Sequence, residues 1–221
     1  MRVIEIFVAP CDWGYGGTGV LKIKDKQGSP FAPGHKADVF QGHLTWANGV
    51  RRPVAIKLSV GREARVWMPL EHDNLAPLLV FVEERNLLVS PFYKNGNMHD
   101  YLETHGSKLD ASRRMSFVIG IASGLKYLHD NSVIHGDLKP ENILVDDTEN
   151  PRITDFGISK LEGSRGYTTA SLGTQEYIAP ELHDKVNNPA PTGSWTTKAS
   201  DVYSFGILAT EVNTLSSVFS P

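Results

Sequence analysis

The run His135-Gly136-Asp137-Leu138-Lys139-Pro140-Glu141-Asn142, followed by Asp155-Phe156-Gly157, sets an acid, a cation and an amide at fixed offsets. Apolar residues of β type flank it, Val133-Ile134 before and Ile143-Leu144-Val145 after. This pattern predicts a loop between two short strands that presents polar side chains. Transfer of a phosphoryl group needs such a set. Asp137 is placed to accept or orient the proton of an attacking hydroxyl, Lys139 to neutralise the moving phosphate, and Asn142 to offer an amide oxygen to a divalent ion. Asp155, 18 positions after Asp137, supplies a second metal-binding oxygen. Magnesium keeps substrate phosphates and water among its ligands and needs few protein groups. Either motif alone would read as a turn; together they specify a chemistry.

On these residues the sequence resembles the eukaryotic protein kinases, over about residues 29–212. Asp137-Leu138-Lys139-Pro140-Glu141-Asn142 has the form usual in members that modify serine and threonine. Gly173-Thr174, Tyr177, Ala179-Pro180-Glu181 and Asp201-Val202-Tyr203-Ser204-Phe205-Gly206 resemble the tyrosine-kinase-like group. The resemblance implies an α+β, bilobal fold with a small antiparallel β lobe and a mainly helical larger lobe. It implies ATP and Mg2+ as cofactors and a protein as substrate. Residues 1–28 are then an N-terminal extension, 29–90 the smaller lobe and 91–221 a partial larger lobe.

Composition is consistent with this. The chain has 221 residues, 40% hydrophobic and 21% charged, which suits one domain or two small lobes. Its formal net charge of -3 gives no general attraction to nucleic acid or an anionic membrane, so neither is expected as a partner. Cys11 is the single cysteine, which excludes an internal disulfide or a cysteine metal cluster. The longest apolar run, Leu75 to Val82, contains a proline and is too short for a bilayer span. There is no pattern of a signal peptide, so a cytoplasmic or nuclear location is the expectation.

Before the core of the motif set, Gly14-x-Gly16-x-x-Gly19 follows a strand-like Arg2–Val8 and mimics a dinucleotide fingerprint. A helix would have to open at Gly19, but Val20–Lys24 is β-like, which predicts a β-ribbon or loose extension instead. By resemblance the phosphate loop is Ala32–Val39, in which Gly34 is the one loop glycine and Val39 stands over the adenine. Pro53–Leu58 is an alternating strand, and its Lys57 matches the lysine that holds the α and β phosphates. Glu63 matches that lysine's carboxylate partner. Only five residues lie between Lys57 and Glu63, and Gly61–Met68 spans about two turns, so a poorly formed pair is expected. Ser90 matches the gatekeeper, and Pro91 and Tyr93 the hinge that accepts from and donates to adenine.

Further on, Met98–Glu103 reads as a short helix. A long one follows from an Asp110 cap to near Asn131, with Met115, Val118, Ile119, Ala122, Leu125 and Leu128 facing inward. Histidines 129 and 135 read as structural. Gly136 stands where many kinases have arginine, so a phosphate on Thr168, Thr169 or Ser171 has no evident anchor in the catalytic loop, and activity is not expected to depend on that pairing. Thr174 resembles the residue that steadies the catalytic aspartate, and Asp201 the one that hydrogen-bonds the catalytic-loop backbone. Ser200 is the expected cap of a last helix with Val202, Phe205, Leu208, Ala209 and Val212 inward. The family continues with more helices beyond Pro221, which implies an incomplete larger lobe and an unpaired Glu181. The leading reading is an ATP-dependent serine/threonine kinase. The alternatives are a pseudokinase that acts by nucleotide binding and interaction, or an unstable kinase fragment.

Overall fold

The computed structural model describes residues 3–8, 19–24, 39–58, 61–162, 174–187 and 195–215. Its contacts divide the chain into two units, one of residues 1–69 and 77–92, the other of residues 70–76 and 93–221.

The first unit is an antiparallel sheet in the order β1-β2-β3-β4-β6-β5. Its strands are β1 (Val3–Val8), β2 (Gly19–Lys24), β3 (Val39–Trp46), β4 (Arg51–Leu58), β5 (Val80–Val82) and β6 (Leu87–Pro91). Side chains alternate across β4, so Val54 and Ile56 are buried and join Leu44, Val80, Val82, Leu87 and Val89 in one apolar cluster. Lys57 is thereby turned to the other face. The N-terminal ribbon is more than an extension, because β2 pairs with β3 and adds two strands to the sheet. Gly19 begins a strand, which removes the helix that dinucleotide binding would need; Gly14 and Gly16 lie outside the described residues. After β4 comes a seven-residue helix, α1 (Gly61–Trp67), with Glu63, Ala64, Val66 and Trp67 buried.

The second unit is built on α2 (Met98–His105), capped by Asn97, and the 20-residue α3 (Ala111–Asp130), capped by Asp110. Each cap side chain accepts a first-turn amide, at 2.9 and 2.7 Å. The inward face of α3 is Phe117, Ile121, Gly124, Leu125 and Leu128. Of the expected face, Leu125 and Leu128 are buried and Val118 and Ala122 half-buried, but Met115 and Ile119 are 48% and 62% exposed, and Phe117 and Ile121 take the inward places. The reason is close approach. A Cβ on Gly120 would lie 2.6 Å from Pro151, and one on Gly124 2.8 Å from the Asn74 carbonyl. The helix therefore turns Gly120 and Gly124 to the chain beneath, beside Phe117 and Ile121.

Two small ribbons follow. β7 (Val133–Ile134) pairs with β10 (Lys160–Leu161), and β8 (Ile143–Val145) pairs with β9 (Pro151–Ile153). Then come α4 (Pro180–Asn187) and α5 (Lys198–Thr214). The N-cap of α5 is Thr197, and Ser200 is its capping-box partner rather than the cap itself. Leu208 and Val212 are buried and Phe205 and Ala209 half-buried, whereas Val202 is 55% exposed. Its place in the core is taken by buried polar residues, Asp201 and Glu211. Glu181 is exposed.

Candidate active site

The chain leaves α3, passes through β7 and enters the loop that carries Asp137. Gly136 sits there at φ +83°, a conformation that costs a side-chain-bearing residue about 1 kcal/mol or more. Asp201 fixes the bend: its Oδ1 accepts from Gly136 N at 2.8 Å and its Oδ2 from His135 N at 2.9 Å. His129 Nε2 donates to the same Oδ2 at 2.9 Å. A carboxylate only 1% exposed is stabilised because all three donors converge on it. His135 is fully buried; its Nε2 donates to Thr154 O at 3.0 Å, which leaves Nδ1 to accept from Asp137 N at 3.3 Å. Both histidines are structural, as expected, and both shape the loop.

The Asp137 carboxylate is held at both oxygens. Oδ1 accepts from the backbone N of Thr174 at 2.9 Å and from its hydroxyl at 3.2 Å, while Oδ2 accepts from Asn142 Nδ2 at 3.1 Å. Lys139 Nζ lies 3.8 Å from Oδ2 and donates to the Thr174 hydroxyl at 2.7 Å. Thr174 thus receives from the lysine and gives to the aspartate. An acid placed this way can take a hydroxyl proton, with a cation beside it for a developing negative charge.

Asn142 and Asp155 come together through a hairpin. β8 pairs with β9 from Ile143↔Ile153 to Val145↔Pro151, and Thr154 N donates to Asn142 O at 2.9 Å. Asp155 follows at φ +65°, its Oδ1 accepting from Gly157 N at 3.2 Å. Phe156 is fully buried, its ring centroid 5.6 Å from that of His135. The Asn142 amide nitrogen is committed to Asp137, to O at 2.7 Å and to Oδ2, so the amide offers its oxygen on the other side. An amide oxygen and a carboxylate are the hard donors that a magnesium-like ion takes, so the set fits such an ion.

The hairpin turn is itself tied by a residue that the sequence reading did not single out. Asp146 is 4% exposed and accepts from Thr148 N and Asn150 N at 2.9 Å, from the Thr148 hydroxyl, and from Arg152 Nε at 2.7 Å. Burial pushes its carboxyl up, but these donors outweigh that and hold it below the usual range. The signal was present in Asp146-Asp147-Thr148-Glu149-Asn150, a turn-forming run between two strands.

In the first unit, Lys57 Nζ and Glu63 Oε1 are 2.8 Å apart, and Glu63 is 2% exposed. The expectation of a poor pair is therefore corrected. β4 ends at Leu58 and α1 begins at Gly61, so the helix's first turn carries Glu63 to Lys57 despite the short interval. Val39 is the cross-strand partner of Lys57, which places both on one face of the sheet. Ser90 opposes Ala55 on that face, and Pro91 pairs with Val54. Tyr93 belongs to the second unit, with the Arg152 guanidinium 5.9 Å from its ring centroid. Gly34 lies outside the described residues, as do Thr168, Thr169 and Ser171.

Residues 26–219 match the family model described as protein tyrosine and serine/threonine kinase. Over 175 residues the chain is 39% identical to the lectin-domain containing receptor kinase VI.4 of Arabidopsis thaliana, covering 74% of this chain and 23% of that protein. It is 39% identical to the cysteine-rich receptor-like protein kinase 19 of the same plant over 160 residues, covering 68% of this chain and 24% of the relative. The chain spans about a quarter of the length of these curated relatives. Among the described residues no helix is long and apolar enough to cross a membrane.

Proposed function

We propose that this chain, which belongs to the protein tyrosine and serine/threonine kinase family, transfers the γ-phosphate of ATP to a serine or threonine hydroxyl of a protein. The observation that carries the reading is the Asp137 carboxylate held by Thr174 and Asn142 with Lys139 beside it. Asp137 receives or orients the hydroxyl proton. Lys139 balances charge at the transferring group. Lys57, held by Glu63, binds the α and β phosphates, with Gly34, Val39, Pro91 and Tyr93 around the nucleotide. Asn142 and Asp155 hold Mg2+. When bound, the ion neutralises phosphate charge and favours in-line attack. The protein's own part is positioning and electrostatics.

The Asp-Leu-Lys-Pro-Glu-Asn form and the Lys139–Thr174–Asp137 contact favour serine and threonine over tyrosine as acceptor. The Lys57–Glu63 pair favours catalysis over a purely binding role, because the shortened helix was one of the two reasons to consider the latter. A cytoplasmic location for the chain, with the nucleus as second choice, is consistent with its single cysteine.

The test is phosphoryl transfer from Mg-ATP to serine, threonine and tyrosine peptides by the purified chain and by Asp137→Asn. Transfer to serine and threonine that falls by about 10²- to 10⁴-fold in the variant is expected. Equal rates in the two proteins would overturn the reading, and transfer to tyrosine alone would overturn its specificity.

A further inference from the structure

The four residues 159–162 form a strap under the catalytic loop. The Ser159 hydroxyl donates to His135 O at 2.9 Å, Lys160 pairs with Ile134 in the β10–β7 ribbon, and Glu162 N donates to Ser132 O at 2.7 Å. On the other side Lys160 Nζ donates to Thr196 O, and Glu162 Oε2 lies 2.7 Å from Lys198 Nζ. The strap thus joins the loop that bears Asp137 to the start of α5, from which Asp201 reaches back to the loop amides.

Within it, Lys160 is the unusual member, a lysine only 7% exposed. Its hydrogen-bond partner is a neutral carbonyl, and an ammonium so placed needs a compensating charge. Asp201 and Glu162 provide the field: burial lowers the lysine's pKa, and these two carboxylates act against that. Gly136 lies beside Thr196, since a Cβ there would meet the Thr196 hydroxyl at 3.4 Å, an ordinary contact. The cation that fastens Thr196 comes from Lys160.

We propose that Lys160 is a positioning residue for the transfer reaction: its buried ammonium pins Thr196 and balances Asp201, so that Asp201 keeps the His135 and Gly136 amides, and with them Asp137, in working register. The link to turnover rests on the function proposed above. The link to loop order does not.

The test compares the chain with Lys160→Met, which keeps bulk without charge, and Lys160→Arg, which restores charge. Amide hydrogen exchange at His135 and Gly136 is read against Ile121 and Leu125 in α3, together with kcat and KM for Mg-ATP. Lys160→Met is expected to speed exchange at the two loop amides by about tenfold or more, to leave the α3 amides unchanged, and to lower kcat about tenfold at constant KM. Lys160→Arg is expected to restore both. If Lys160→Met does not fold, Lys160→Gln carries the same readouts. Wild-type exchange at the loop amides, an equal rise across the second unit, or failure of arginine to rescue would overturn the proposal. A wild-type chain without turnover would refute the proposed function, and loop exchange would then decide on Lys160 alone.

Discussion

At the residue scale the site depends on one hydroxyl. Thr174 accepts from Lys139 and donates to Asp137, so it settles the directions of both an acid and a cation. Thr174→Ala leaves the backbone bond to Asp137 and removes the hydroxyl contacts, each worth about 1 kcal/mol or somewhat more beside charged groups. A kcat about tenfold lower is expected for Thr174→Ala, with Thr174→Ser near wild type. Steady-state kinetics on a threonine peptide would show whether the serine variant rescues. No rescue would mean that the methyl group, rather than the hydroxyl, matters.

At the scale of elements the β8–β9 hairpin sets the distance between Asn142 and Asp155, and Asp146 sets the hairpin. Its carboxyl titrates below the usual range because Asn150, Thr148 and Arg152 donate to it, against the opposing effect of burial. The sign follows from linkage: a lowered folded pKa gives stability that is present above the unfolded carboxylate value of about 3.9 and is lost as pH falls through the folded value. Asp146→Ala is expected to cost about 2–3 kcal/mol at pH 7. The gap from wild type should narrow in acid, and urea melts across that range measure it. A gap independent of pH would show that the turn depends on shape rather than on charge.

At the scale of the whole molecule, the proposed function makes stability depend on nucleotide. Binding of Mg-ATP at a hundred times its Kd stabilises a folded protein by about 2.7 kcal/mol, roughly 5–10 °C in Tm for a chain of this size. Thermal melts with Mg-ATP should show this rise in the chain and most of it lost in Lys57→Met. A melt with no cooperative transition would support the unstable-fragment reading instead. A rise without phosphoryl transfer would leave a nucleotide-binding protein.

The sequence by itself determined the candidate site. Asp137, Lys139, Asn142 and Asp155 are recognisable because they sit at short, fixed spacings, and the flanking β-type residues mark the strands that hold them. The strand that bears Lys57 and the cap Asp110 were also legible, since alternation and capping are local rules. Tertiary structure alone decided the inward face of α3, because Gly120 and Gly124 matter only against Pro151 and Asn74. It decided that Lys57 meets Glu63, since a strand end and a helix start set that distance. It decided the places of Asp146 and Lys160 as well. These are polar residues whose burial depends on donors and charges brought near by folding, and a one-dimensional pattern carries no record of them.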